Sequence, residues 1–193
     1  MRIFVDSADP AEIEEWDAHP WVSGFTTNPT LFKAAEAGDY LAHAKMLVRL
    51  TEKCISIDGP SVVWDLGEHV WRKTTNNALW GTKRWNRTAI CIAEQCRIVG
   101  LERLDIISVF AGRIMDTGRD PQPVIDAAKV TGAQVLWASV REPYNLIQAE
   151  QAGCDIVTVP PVILRKYLEW HGKPLEVVAQ ETIRQFKQDS QWT

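Results

Sequence analysis

Short apolar runs recur along the chain, each bounded by a polar turn, and most are followed by a stretch of helical spacing. Arg2-Ile3-Phe4-Val5-Asp6 opens as a strand, and Asp9-Pro10 starts a helix carrying Glu12, Glu14 and Glu15 in its early turns, where the helix dipole favours acids. A second strand ends at Thr26. Asn28-Pro29 cannot extend it, because proline lacks a backbone donor and keeps the residue before it out of the helical region. Helix is predicted from Thr30 to Glu36, and again where Leu41, Ala44, Leu47, Val48 and Leu50 keep helical spacing. Residues 55–58 alternate as a third strand that stops at Gly59-Pro60. The pattern is poor over 61–86, with 70–73 as a fourth strand inside it. Residues 87–90, 106–110, 135–138 and 156–159 read as four more. Helical stretches at 93–97, 121–129 and 145–152 separate them, the last two stopped by Gly132 and Gly153.

Eight apolar strands alternating with helices imply a parallel sheet covered on both faces, and eight such units suggest a closed (β/α)8 barrel, the TIM barrel architecture. An open doubly wound sheet is the alternative, but no G-x-G-x-x-G fingerprint supports it. The intervals from Asp58 to Lys73 and from Lys73 to Asn86 are short for a crossover helix with its loops and strand, so the third and fourth helices are expected to be shortened. Trp64, Trp71, Trp80 and Trp85 crowd into the same region. Past the barrel, an extra C-terminal helix is expected over 175–186, striped by Val177, Val178, Ile183 and Phe186. The whole chain reads as one domain, 1–193, with 165–193 as a helical extension.

Composition narrows the picture. The 193 residues are 46% hydrophobic and 24% charged, as in a globular domain, and a net charge of -4 gives no footprint for nucleic acid. No apolar run reaches the roughly 20 residues that span a bilayer, and the N-terminus has no signal-peptide architecture. Cys54, Cys91, Cys96 and Cys154 form no C-x-x-C pair, which fits reduced thiols and a cytoplasmic location. The four histidines show no metal-ligand spacing, so no metal is expected.

Polar residues then collect at the predicted C-terminal strand ends, the mouth of such a barrel: Asp6, Thr26 with Asn28, Asp58, Lys73, Asn86 with Thr88, Arg113, and Ser139 with Arg141. Thr26 and Asn28 are also ordinary turn and cap residues, and Arg113 alone is an ordinary surface ion-pair former. Together they describe a chemistry. Two arginines and a serine suit a phosphate. A lysine among apolar neighbours can lose its proton and attack a carbonyl, with carboxylates moving protons beside it.

The segments Phe4-Val5-Asp6-Ser7-Ala8-Asp9, Thr26-Thr27-Asn28-Pro29-Thr30, Ser108-Val109-Phe110-Ala111-Gly112-Arg113, Ala138-Ser139-Val140-Arg141 and Gly153-Cys154-Asp155-Ile156-Val157-Thr158-Val159-Pro160 resemble the transaldolase family, in the small-subunit branch that includes fructose-6-phosphate aldolases. The resemblance implies a (β/α)8 barrel that uses a Schiff-base lysine, acts on sugar phosphates and needs no cofactor. It implies that Asp6 assists proton transfer, that Asn28 and Asn86 hold dihydroxyacetone hydroxyls, and that Thr88 positions the catalytic water. Arg113, Ser139 and Arg141 are then the phosphate site. The segment Gly67-Glu68-His69-Val70-Trp71-Arg72-Lys73 resembles the family's lysine strand, although Thr74-Thr75 stands where the family has Ile-Pro, and Lys83 is the fallback lysine. Asp58 falls where transaldolases carry a water-activating Glu and aldolases a Gln; Phe110 falls where transaldolases carry Phe and aldolases a proton-donating Tyr. Both positions favour transaldolase over an aldolase that uses free dihydroxyacetone. A phosphosugar-binding barrel without turnover is the third alternative. Relatives in this branch also imply a homo-oligomer, a pentamer or decamer, built through the C-terminal helix.

Overall fold

A computed structural model of the chain describes residues 1–57, 86–99 and 106–190. Seven strands form one parallel sheet: β1 (Arg2–Asp6), β2 (Val22–Thr26), β3 (Cys54–Ser56), β4 (Asn86–Ile90), β5 (Ile106–Val109), β6 (Gln134–Trp137) and β7 (Ile156–Val159). Their spatial order is β3-β2-β1-β7-β6-β5-β4, so the first strand pairs with the last. The sheet curls until its two edges approach, and the Asn86 amide on β4 donates to the Ser56 hydroxyl on β3 at 3.0 Å. This is a TIM-barrel-like α/β fold. The strand expected at 70–73, the shortened third and fourth helices and the four crowded tryptophans lie outside the described residues.

Local chemistry explains the elements. Ile156, Val157, Thr158 and Val159 are all β-branched and all buried, as a parallel strand covered on both faces requires. Three helices start on a side-chain cap: α1 (Pro10–Asp17) on Asp9, α2 (Pro29–Ala34) on Asn28 and α3 (Tyr40–Arg49) on Asp39. After β4 comes α4 (Ala93–Val99). Then α6 (Gln122–Val130) and α7 (Tyr144–Gln151) end just before Gly132 and Gly153, which hold φ of 80° and 71°.

Two helices fall where the sequence pattern predicts none. One turn and a half of helix, α5 (Ala111–Asp116), follows β5 directly and carries Arg113. The other, α8 (Pro161–Trp170), starts at the second of two prolines, where proline is at home, and buries Leu164 in the core. The expected start of the helical extension, residue 165, thus falls inside α8, which packs on the barrel core through Leu164. The expected C-terminal helix is α9 (Leu175–Asp189), which buries none of its residues; Leu175, Ile183 and Phe186 are exposed. Among the described residues no helix is long and apolar enough to cross a membrane.

Candidate active site

Alternation along the strands sorts the residues into two faces. Deep inside the curl, Phe4, Ile106, Leu136, Ala138 and Ile156 pack into a small apolar cluster, with Cys54 and Phe110 against it. Further along six of the seven strands the inward positions turn polar: Asp6, Thr26, Ser56, Ser108 and Thr158, with Asn86 and Thr88 on β4, while β6 is followed by the apolar Ala138. All of these line a cavity of about 430 Å³ at the C-terminal end of the sheet. Six strands thus supply one polar layer above an apolar floor.

That layer is hydrogen-bonded into two chains. The Thr26 hydroxyl donates to Asp6 Oδ1 at 2.8 Å and lies 2.5 Å from the Thr158 hydroxyl. A hydroxyl has one proton to give, so while Thr26 donates to Asp6, Thr158 must donate to Thr26. On the other side, Ser108 donates to Asn86 Oδ1 at 2.8 Å while Asn86 Nδ2 donates to Ser56, which fixes both ends of the amide. Burial pushes the Asp6 carboxyl up from 3.8 to about 6, with the Thr26 hydrogen bond opposing the rise. The acid therefore titrates close to neutrality, where it can both take and return a proton.

A cationic wall faces it. Gly112, at the start of α5, comes so close to the loop after β6 that a Cβ there would lie 1.6 Å from the Ser139 carbonyl oxygen. Only glycine permits this approach, and it brings α5 against Ser139 and Arg141. Ser139 itself takes the left-handed region at φ 65°. The buried Asn145 side chain secures the loop by accepting from the Arg141 and Glu142 amides at 2.8 and 3.2 Å. The Arg141 guanidinium is tied to Asp116 through Nε at 3.1 Å and Nη2 at 2.8 Å. Arg113 lies 5.4 Å from the centre of the Phe110 ring, and no carboxylate among the described residues pairs with it. Its charge also restrains the Cys91 thiol, which burial pushes up.

Comparison with known proteins bears directly on this arrangement. Residues 83–193 match the family model described as transaldolase/fructose-6-phosphate aldolase. The chain belongs to this family. A probable transaldolase of Thermoplasma volcanium is 28% identical, over 86% of this chain and 86% of its own length. One from Methanococcus maripaludis is also 28% identical, over 86% of this chain and 89% of the relative. A third, from Carboxydothermus hydrogenoformans, is 29% identical over 85% and 88% respectively.

Of the residues that the family resemblance singles out, Asp6, Thr26, Asn28, Asn86, Thr88, Phe110, Arg113, Ser139 and Arg141 all line the one cavity. Asp58, Lys73 and Lys83 lie outside the described residues. The third strand ends at Ser56, two residues before its expected end, so Ser56 is its described contribution to the mouth. The ordinary reading of Asn28 as a cap holds for its oxygen, which accepts from the Leu31 amide at 3.0 Å. Its NH2 group is not engaged by any described residue. Ser56, Ser108 and Thr158 lie inside the expected strands 55–58, 106–110 and 156–159, where the sequence alone gives a small hydroxyl no distinction from core. The signal was parity: each faces inward, to the same cavity as Asp6 and Thr26. Among the described residues no three of His, Cys, Asp and Glu gather as a metal site would need.

Proposed function

We propose that the chain is a transaldolase of carbohydrate metabolism, acting in the cytoplasm in the pentose phosphate pathway. It moves a three-carbon dihydroxyacetone unit from a ketose phosphate such as fructose 6-phosphate to an aldose phosphate such as erythrose 4-phosphate. The observation that carries the reading is the shared cavity. A carboxyl held near neutrality, an amide clamped at both ends and two arginines face one volume of about 430 Å³. The relatives, themselves named probable transaldolases, point the same way.

In this reading the Lys73 amine attacks the ketose carbonyl, and loss of water gives the imine, with Thr88 holding that water and Asp58 activating it. Asp6 takes the proton of the hydroxyl on the carbon that leaves, the carbon–carbon bond breaks, and the first aldehyde departs. The electron pair stays on the three-carbon unit as an enamine conjugated with the lysine nitrogen. Asn28, Asn86 and Thr26 hold that unit while the acceptor aldehyde enters, and Asp6 returns its proton to the new hydroxyl. The held water then adds to the product imine, which breaks the carbon–nitrogen bond and frees the Lys73 amine. Arg113, Ser139 and Arg141 grip the phosphate of donor and acceptor in turn, Arg141 exchanging its Asp116 partner for it. Phe110 favours transfer over release, since a phenyl ring has no proton with which to discharge the enamine. The apolar stripe of α9, exposed in the single chain, is where copies meet in a pentamer or decamer.

Borohydride added with fructose 6-phosphate tests the reading: a covalent adduct on Lys73 is expected, with glyceraldehyde 3-phosphate limited to about one equivalent per site without an acceptor and formed catalytically only with one. An unmodified chain, or an adduct on Lys83, sinks the assignment of the lysine. Free dihydroxyacetone in the absence of acceptor identifies an aldolase. Thermal stabilisation by fructose 6-phosphate without turnover leaves a phosphosugar-binding barrel.

A further inference from the structure

The β4–β5 pairing is irregular at the place where Thr88 enters the cavity. Asn86 pairs with Ile106 and Arg87 with Ile107, but the next pair is Ile90 with Val109, so Thr88 and Ala89 together oppose the single residue Ser108. This is a β-bulge, rare between parallel strands and common beside active sites. It turns two consecutive residues, Thr88 and Ala89, to the cavity, whereas a regular strand would present one. Ala89 holds it with φ at 58°, a left-handed conformation that side-chain-bearing residues adopt rarely and only when neighbours enforce it.

The neighbour here is Gln95. Buried on α4, it does not reach the cavity. Its Oε1 accepts from the Ile92 amide at 2.8 Å and from the Cys91 amide at 2.7 Å, and its Nε2 donates to the Ala89 carbonyl at 3.2 Å. A glutamine three residues into a helix ordinarily reaches back to the amide at the helix start, and that accounts for the bond to Ile92. It does not account for the other two, which grip the chain on the exit side of the bulge. We propose that Gln95 is a positioning residue: it locks the bulge in its strained form and so sets where the Thr88 hydroxyl stands. That Thr88 then serves the reaction rests on the transaldolase reading; the bracing does not.

The variants Gln95→Met, which removes all three bonds at nearly constant volume, and Ala89→Gly, which removes the strain, test this together. Should Q95M not fold, Gln95→Asn, which draws the amide back by one methylene, takes its place. Crystal structures without substrate read the brace alone. In Q95M the Thr88 hydroxyl is expected to move by about 1 Å or to split between rotamers as Ala89 relaxes, and an unmoved Thr88 overturns the proposal. In the transfer assay Q95M is expected to lower kcat by about tenfold to a hundredfold, the scale of a misplacement of about 1 Å, with KM for fructose 6-phosphate within about twofold. Adding Ala89→Gly is expected to recover part of that loss, because glycine holds a left-handed turn without help. A glutamine that served only as a helix cap would lower Tm and gain nothing from the glycine, and that result also overturns the proposal. A displaced Thr88 in a chain whose wild type shows no turnover leaves the positioning role standing and removes the transaldolase reading instead.

Discussion

On the outer face of the sheet Val5, Phe25, Ile107, Val135 and Val157 are completely buried under the helices and belong to one continuous apolar core. Turned the other way at neighbouring positions are Asp6, Thr26 and Thr158, bonded to one another, and Ser108, bonded to Asn86; all are largely enclosed, but polar. The same strands carry both sets. The outer face stabilises the fold by removing apolar area from water, at about 25 cal/mol per Å². The inner upper face contributes little net stability, because each hydrogen bond there replaces one to water. One member, Asp6, is destabilising when ionised. The two faces should therefore respond to substitution with opposite signs: loss of stability on the outside, loss of turnover on the inside.

The widest separation is expected at Asp6. Asp6→Asn keeps the shape and an acceptor for Thr26 but cannot carry a proton. Turnover is expected to fall by about 10²–10⁴-fold, the usual worth of a general acid–base group. Stability is expected to move the other way. A carboxyl raised from 3.8 to about 6 binds its proton more tightly in the folded chain, so its contribution is fully present below about pH 4 and is lost as pH rises to about 6. The loss amounts to something on the order of 3 kcal/mol at most, from a two-unit difference. Urea unfolding at pH 4 and pH 7 should show D6N gaining on the wild type across that interval. A variant less stable than wild type at pH 7 would break the comparison.

Next in size is Ile107→Ala, one residue before Ser108 and facing outward. Removing a fully buried isoleucine is expected to cost about 2–5 kcal/mol, read as a shift of the urea midpoint. The kcat of the folded fraction should stay within about twofold of wild type, since the site is built on the opposite face. A cost below about 1 kcal/mol, or a selective loss of kcat, would show that the faces are not independent.

How much of this could be read in advance follows the same division. The outer face announces itself: 156–159 are β-branched throughout and 106–109 are apolar but for Ser108, and such short runs between turn residues read as buried strands. The mouth was legible where a polar residue that does not suit a strand stands at or just past a strand end, as at Asp6, Asn28 or Arg113. It was not legible at Ser56, Ser108 and Thr158, because a small hydroxyl inside an apolar run looks like tolerated core, and only the parity of the curled sheet gives it a direction. The helix at 111–116 escaped because Gly112 is a poor helix former and Phe110 before it offers no side-chain cap. A tertiary requirement, the close pass by Ser139, demands the glycine and overrides that preference. Gln95 was invisible for a further reason: its role depends on a bulge, and a bulge leaves no mark in hydrophobic periodicity.

The finest test of the inner face is Thr158→Val, which exchanges a hydroxyl for a methyl at nearly constant volume. Thr158 touches Thr26, and Thr26 holds Asp6, so the valine reaches the acid only through the polarity of the hydroxyl between them. Thr26 keeps its bond to Asp6 but no longer receives one, and a hydroxyl that accepts no hydrogen bond donates more weakly. The ionised carboxyl loses part of its support and should titrate still higher than about 6, so the limb of the pH–rate profile that belongs to Asp6 should move upward by less than about one unit. One unmet acceptor should lower stability by only about 1 kcal/mol. The sign is the informative part. A limb that moves downward, or that stays in place in T158V while D6N abolishes it, would mean that Thr158 does not donate toward Asp6, and the two hydroxyls would then be neighbours in the barrel without forming a directed chain.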